Sequence, residues 1–149
     1  MAISSSGLFL TTWIDALDTT QLALDLDLDT HKVALFTDSV SPNFSTNTAY
    51  GVSPWNANEV SGTGYTAGGA LLTGTTVADV SGTLRWDASD VSWTSSTITG
   101  AKGALIYADA LVGDNAIVLV NLGSSYSTSA GTLLISWSAN GIVELDLTP

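Results

Sequence analysis

Two apolar runs decide the fold class of this chain: Ala104-Leu105-Ile106-Tyr107-Ala108 and Ala116-Ile117-Val118-Leu119-Val120. Each run has the length of a buried β-strand, and each is far shorter than the roughly 18 apolar residues that a membrane-spanning helix needs. They predict two strands in the interior of a β-domain.

Further short runs alternate with turn-rich segments on both sides of this pair. The predicted strands cover residues 32–36, 70–77, 83–86, 91–93, 97–100, 104–107, 116–122, 133–137 and 142–147. Asn140-Gly141 predicts a hairpin turn between the last two, because both residues tolerate a positive φ. Strands at this spacing favour a mostly-β fold, either an antiparallel β-sandwich or a jelly-roll-like domain, over alternating βα units.

The composition also indicates a β-rich domain. Of the 149 residues, 45% are hydrophobic and 11% are charged, and the charged share is less than half the usual value of about 25%. Ser and Thr take the place of the missing charges, and these residues suit turns and pleated strands respectively. The length predicts one domain that needs no cross-links to fold.

Residues 1–30 are predicted to form an arm, helical or extended, ahead of the β-domain. Thr11 or Thr12 would cap a short helix from Trp13 to Asp18, with Trp13 and Leu17 on one apolar stripe. The segment 24–29 then alternates between Leu and Asp, which fits a strand with one wet face or an extended connection.

Residues 31–149 are assigned to the β-sandwich, which includes a long aperiodic segment at 37–69. This segment is rich in Ser, Asn, Thr, Gly and Pro, but it also carries Phe44, Tyr50 and Trp55. Because disordered linkers are poor in aromatic residues, we expect the segment to be ordered against the domain or a partner.

The charge balance limits the classes of partner. A formal charge of −11 arises from 14 carboxylates against three cationic side chains. Such a surface repels phosphate backbones and anionic lipid head groups, so neither nucleic acid nor a membrane is an expected partner. The absence of cysteine excludes disulfides and thiolate chemistry, and the first residues lack the pattern of a secretory signal, so synthesis in the cytoplasm is expected.

The sequence offers little for catalysis, and we predict that the protein is not an enzyme. A hydrolytic triad would need His31, the single histidine, as its base, but its position better fits a partly exposed turn residue. A glycosidase needs two carboxyl groups on opposite sides of a sugar bond, and Asp87 and Asp90 are the candidates. They lie between two short predicted strands, where a turn in which Asp side chains accept backbone N–H groups is favoured.

Three alternating carboxylates, Asp25, Asp27 and Asp29, resemble the opening of a calcium-binding loop. The helix–loop–helix version requires Gly at its sixth position and Glu at its twelfth, where this chain has Thr30 and Phe36. We therefore favour a solvated strand face for these three carboxylates, and a looser ion site is the alternative. No cofactor is predicted.

The glycine-rich run 62–69 lacks the Lys-Ser/Thr ending of a phosphate-binding loop. Its glycines are expected to allow tight turns where the chain approaches neighbouring backbone.

The tryptophans divide by context. Trp86, Trp93 and Trp137 alternate with polar neighbours on predicted strands and are expected in the core. Trp13 and Trp55 lie outside the regular strands. For each of them, contact with another protein and burial in its own subunit are both possible.

Several segments, in order along the chain, resemble a family of small virion structural proteins of tailed bacteriophages. The most specific is Asn58-Glu59-Val60-Ser61-Gly62-Thr63-Gly64-Tyr65-Thr66-Ala67-Gly68-Gly69. The likeness continues through residues 84–93, 104–107 and 133–142, and it includes residues 29–35 upstream. The segment before residue 29 is more particular to this chain.

The resemblance implies a structural part of the virion, such as a head decoration or minor structural protein, without catalytic residues. We therefore expect a protein on the outer surface of the capsid, with the major capsid protein as its partner. A homo-oligomer is expected, and a trimer is favoured. A minor tail or tail-tip component and a carbohydrate-binding receptor module are the alternatives. The last of these predicts an exposed Trp or Tyr over a groove.

Contact with the capsid or a sister subunit is expected at apolar and aromatic side chains of the arm and the long segment. These candidates are Leu8, Phe9, Trp13, Phe44, Tyr50 and Trp55. Removal of residues 1–12 is then expected to abolish particle binding and to leave folding cooperative.

Overall fold

The computed structural model describes residues 2–28 and 30–148, and it is mostly β, with antiparallel sheets and one short helix near the N-terminus. In chain order the elements are β1 (Gly7–Leu8), α1 (Leu10–Leu17), β2 (His31–Thr37), β3 (Ala70–Leu72), β4 (Thr76–Val80), β5 (Thr83–Asp87), β6 (Val91–Ser96), β7 (Ala101–Tyr107), β8 (Ala116–Tyr126), β9 (Gly131–Ile135) and β10 (Val143–Asp146). The predicted fold class is confirmed.

The strands form one five-stranded sheet, in the order β1-β8-β7-β2-β3, and two smaller sheets, β10-β5-β4 and β6-β9. One buried cluster joins Val33 and Ile106 of the larger sheet to Trp86 and Trp93 of the smaller sheets. The larger sheet is therefore one layer of a β-sandwich, and the two smaller sheets together form the other.

The second face of the five-stranded sheet is covered as well. Side chains that alternate with those of the first face, such as Ala34 and Phe36 on β2, pack against Ile3, Phe9 and Trp55. Ile3, Phe9 and the part of the long segment that holds Phe44 and Trp55 thus form a third layer without regular strands of its own. This burial on both faces explains why β2, β7 and β8 are continuous apolar runs rather than alternating ones.

The N-terminal arm packs on the sandwich and contributes a strand to its central sheet. Strand β1 pairs antiparallel with β8, with Gly7 opposite Leu119. Ile3, Phe9 and Thr12 are fully buried. These contacts tie the first residues to the central sheet.

Helix α1 begins at Leu10 rather than after a threonine cap. Phe9 occupies the N-cap position and makes no side-chain capping hydrogen bond. The hydroxyls of Thr11 and Thr12 instead donate to the carbonyls of Asn47 (2.9 Å) and Ala116 (2.5 Å). The cap prediction was wrong because both hydroxyls hold the helix onto neighbouring segments.

Three strand predictions need correction. Residues 70–77 contain β3 and only the first two residues of the separate strand β4, and residues 97–100 form no strand although Ile98 is buried. Gly141, with a φ of 74°, closes a tight antiparallel turn on Ser138, but the two flanking strands do not pair with each other as predicted. β9 pairs with β6 and β10 pairs with β5, so this turn carries the chain from one small sheet to the other.

Glycines bring the long segment close to the sheets, as predicted. Gly62 and Gly69 both have positive φ, and a Cβ atom on either would overlap a backbone carbonyl, that of Thr97 or that of Val33. Only a residue without a side chain fits these positions.

Candidate functional site

The predicted interface residues of the long segment meet Phe9 in an aromatic cluster. The ring of Phe9 lies 5.4 Å from Phe44 and 5.7 Å from Trp55, and Phe36 lies 5.0 Å from Trp55. Phe9 and Trp55 are buried, whereas Phe44 and Tyr50 are partly exposed. In this conformation Phe9 and Trp55 expose no surface to a partner. Of the two alternatives for Trp55, contact with another protein or burial in its own subunit, the structure shows burial.

The two remaining interface candidates pack on the other side of the central sheet. Leu8 and Trp13 are partly buried against the cluster that joins the two layers. The indole N–H of Trp13 donates to the carbonyl of Ile117 at 3.4 Å. Leu17 does not continue this stripe, because it points into solvent.

Glu59 is the centre of a hydrogen-bond network in the long segment. One carboxylate oxygen accepts the hydroxyl of Tyr50 at 2.8 Å. The other accepts the hydroxyl of Tyr65 and the backbone N–H of Gly68, each at 2.7 Å. The hydroxyl of Tyr107 on β7 donates to the carbonyl of Gly68 at 2.9 Å, which connects the network to the central sheet.

This environment raises the pKa of three tyrosines. Burial, together with the hydrogen bond to Glu59, raises the pKa of Tyr50 to about 12. Burial also raises the pKa of Tyr65, where Glu59 adds to the effect, and that of Tyr107, where the carboxylate of Asp109 adds to it. The hydroxyls are therefore protonated at neutral pH and serve as fixed hydrogen-bond donors, so the network's evident task is to order the segment.

The outward side of α1 is an exposed apolar ridge that the sequence did not reveal. Its members are Leu10, Ile14 and Leu17, which recur at helical spacing, and Leu17 is 83% exposed. Together with Trp13 and Asp18 they line a shallow groove of about 280 Å³. Helical periodicity alone could not separate this outward stripe from one that faces the core.

A larger groove, of about 560 Å³, lies between the end of β8 and the strand β9. One wall consists of residues 120–122 and 126–128, and the other of residues 132–137. Tyr126 is 51% exposed and Trp137 is partly buried, so two aromatic side chains border the groove. The sequence placed Trp137 in the core, and it gave no sign of a role for Tyr126.

The acidic residues considered for chemistry serve the backbone. A carboxylate oxygen of Asp25 accepts the N–H groups of Asp27 and Leu28, each at 3.0 Å. Asp87 accepts the N–H of Ala88 at 2.8 Å, as the turn interpretation predicted. Among residues 2–28 and 30–148, no three metal-binding side chains are grouped, and Asp29 lies outside the described residues.

His31 is the first residue of β2 and is fully buried, so the prediction of a partly exposed turn residue was wrong. Its Nε2 lies 3.0 Å from the carbonyl oxygen of Asp25, and its ring meets the edge of Trp86 with 5.7 Å between the centroids. The histidine therefore connects the segment before β2 to the core.

Comparison with protein-family models, curated proteins and solved structures finds no match for this chain. Within the described residues, no helix has the length and apolar character needed to cross a membrane.

Proposed function

We propose that the chain is a structural virion protein that docks on the assembled head of a tailed phage and stabilises the shell. The partner in this proposal is the major capsid protein, and the protein is placed on the outer capsid surface. The resemblance of residues 58–69, and of the segments that follow, to phage virion proteins directs the proposal to a phage particle.

The ridge of α1 is the observation that carries the docking part of the proposal. Leu10, Ile14 and Leu17 present apolar surface to solvent on a helix that hydrogen bonds hold to the central sheet. An apolar patch on a rigid element is typical of a protein interface, because little conformational freedom is lost when it binds. Of the side chains predicted for this task, Trp13 lines the groove beside the ridge, whereas Phe9 and Trp55 are buried.

Oligomerisation is part of the same proposal, and a trimer is favoured. Copies joined in one assembly would bring several α1 ridges to neighbouring capsid subunits at once. Weak contacts then sum to tight attachment, which suits a small ridge of three side chains.

Location is tested first, by gold-coupled antibodies against the protein on intact particles, imaged by electron microscopy. Label spread over the head is the expected result. Label confined to the tail would overturn the placement on the capsid and turn attention to a tail or tail-tip role.

The docking surface is tested by measuring how two double variants bind to particles that lack the protein. Leu10→Gln/Leu17→Gln changes side chains that are 50% and 83% exposed. The control Leu71→Gln/Leu28→Gln changes side chains that are 51% and 84% exposed and lie outside α1. Both pairs leave the net charge unchanged.

In the α1 pair, two leucine side chains that would be buried against the capsid are lost. Particle binding should therefore weaken by about tenfold or more. The control pair should bind like the parent in the same co-sedimentation assay. Equal binding by the two pairs would refute a role for the ridge, even if the protein were found on the head.

A further inference from the structure

The groove between β8 and β9 has the size of a ligand site. Its volume of about 560 Å³ falls within the roughly 300–1,000 Å³ typical of small-ligand sites. Among the described strands, β9 pairs with β6 alone, so its other edge borders the groove without a neighbouring strand. The groove is thus a feature of the sheet arrangement, formed where the two layers separate.

One aromatic wall of the groove is held rigidly. The indole N–H of Trp137 donates to the carbonyl of Ser89 at 3.0 Å, and its backbone N–H donates to Asp90 at 3.1 Å. The hydroxyl of Ser136 donates to the same carboxylate at 2.8 Å. Asp90, considered above as a catalytic acid, therefore serves to position the strand end that carries Trp137.

The other wall offers an exposed ring and a polar group. Tyr126 is 51% exposed at the end of β8. Asn121 accepts the N–H of Gly123 through its side-chain oxygen at 2.9 Å, which leaves the NH₂ end of the amide for a ligand. An aromatic ring beside amide and hydroxyl groups combines a flat apolar surface with hydrogen bonding.

The charge of the groove limits the class of ligand. Every side chain that lines it is uncharged, although the chain as a whole carries a formal charge of −11. A cation would find no carboxylate there to pair with, and an anion would find no Lys or Arg. The ligand that fits is neutral, has an apolar face for Tyr126 and Trp137, and carries hydroxyl groups for the polar side chains.

We propose that this groove binds a short neutral saccharide. The ring C–H groups of the sugar would lie against the aromatic side chains, and its hydroxyls would meet Asn121 and the hydroxyl of Thr132 on β9. This activity is separate from docking through α1. On a particle surface it would give the protein a second role, the capture of sugar chains.

The test is an array of neutral oligosaccharides that includes maltotriose, cellotriose and chitotriose, followed by titration of the purified protein with the sugars that bind. Tyr126→Ser is expected to weaken binding by about tenfold, as the loss of one aromatic contact predicts. Tyr126→Phe keeps the ring and should retain most of the affinity. Leu71→Ser, at a side chain with the same 51% exposure outside the groove, should bind like the parent.

Three results would overturn the saccharide site. The first is that no sugar on the array binds. The second is that sugars bind but Tyr126→Ser leaves their binding unchanged. The third is that extended peptides, and not sugars, bind at the β9 edge. Leu10→Gln/Leu17→Gln should bind sugars normally, so failure of this site and failure of the docking proposal are read separately.

Discussion

At the scale of single residues, the segment 38–69 is ordered by a few side chains and by glycine. Glu59 gathers the hydroxyls of Tyr50 and Tyr65 and the N–H of Gly68 within hydrogen-bond distance. Gly69 passes so close to the carbonyl of Val33 that no Cβ atom fits. Order without strands therefore depends on specific positions, and single changes there should be costly.

Comparing Gly69→Ala with Gly51→Ala separates two costs to stability, the overlap of a Cβ atom with neighbouring backbone and the strain of a left-handed backbone. Both glycines have nearly the same φ, +79° and +77°, but nothing lies within 4 Å of the Cβ position at Gly51. Gly51→Ala should lower the unfolding free energy by about 1 kcal/mol, the cost of a left-handed Ala. Gly69→Ala should lower it by about 3 kcal/mol or more, because the backbone must also move. Urea unfolding measures both, and equal losses would contradict the close-packing argument.

The site residues show what sequence reasoning reached at this scale. The glycine run was correctly read as tight turns near backbone, because glycine has a direct steric meaning. The partners of Glu59 and the exposure of Leu10 and Tyr126 were not foreseen. They depend on which segments meet in three dimensions, and one residue's neighbours in sequence do not specify that.

At the scale of elements, the N-terminal arm is structural. β1 extends the central sheet, and Phe9 fills the layer beneath Trp55 and Phe44. The expectation that residues 1–12 can be removed without loss of cooperative folding does not agree with the burial of Ile3 and Phe9.

Phe9→Ala should lower the unfolding free energy by about 3–5 kcal/mol, the usual cost of emptying a buried aromatic site. Leu17→Ala, at a position 83% exposed, should change it by less than about 0.5 kcal/mol. Removal of residues 1–12 should abolish the cooperative unfolding transition. A truncated chain that still unfolds cooperatively with a similar midpoint would show that the arm is dispensable for folding.

The strands that sequence reasoning placed correctly are those with the strongest patterns. β2, β7 and the first part of β8 are buried on both faces, so their apolar runs are continuous. Asn140-Gly141 correctly marked a turn, but the turn could not report that its flanking strands pair elsewhere. Turn chemistry is local, whereas strand pairing is decided by the whole core.

At the scale of the whole molecule, the three layers are joined by the tyrosine network. Tyr50 lies in the third layer, Tyr65 packs against Trp93 in the core between the two sheet layers, and Tyr107 lies on β7 of the central sheet. The pKa of each is raised, that of Tyr50 to about 12. Ionisation of these groups therefore reports on the integrity of the layered fold.

Stability should fall in alkaline solution. Unfolded tyrosines ionise near their usual pKa of about 10, whereas the folded chain keeps these protons to higher pH. The folded state then binds more protons than the unfolded state, so the unfolding free energy decreases as pH rises from about 10 towards 12. Below about pH 10 the three groups should add no pH dependence. Urea midpoints over this range, with tyrosinate absorbance, measure the effect, and flat midpoints above pH 10 would contradict it.

The order of strands in the sheets has a consequence for how the protein is made. Each of the three sheets includes a strand from beyond residue 115: β8 in the largest, β9 and β10 in the smaller ones. While a ribosome is still producing the first 115 residues, no sheet has all its members, and β7 lacks β8, its partner along one edge. Pairings between distant parts of a chain also form slowly. Nascent chains are therefore exposed to aggregation until synthesis has passed β10.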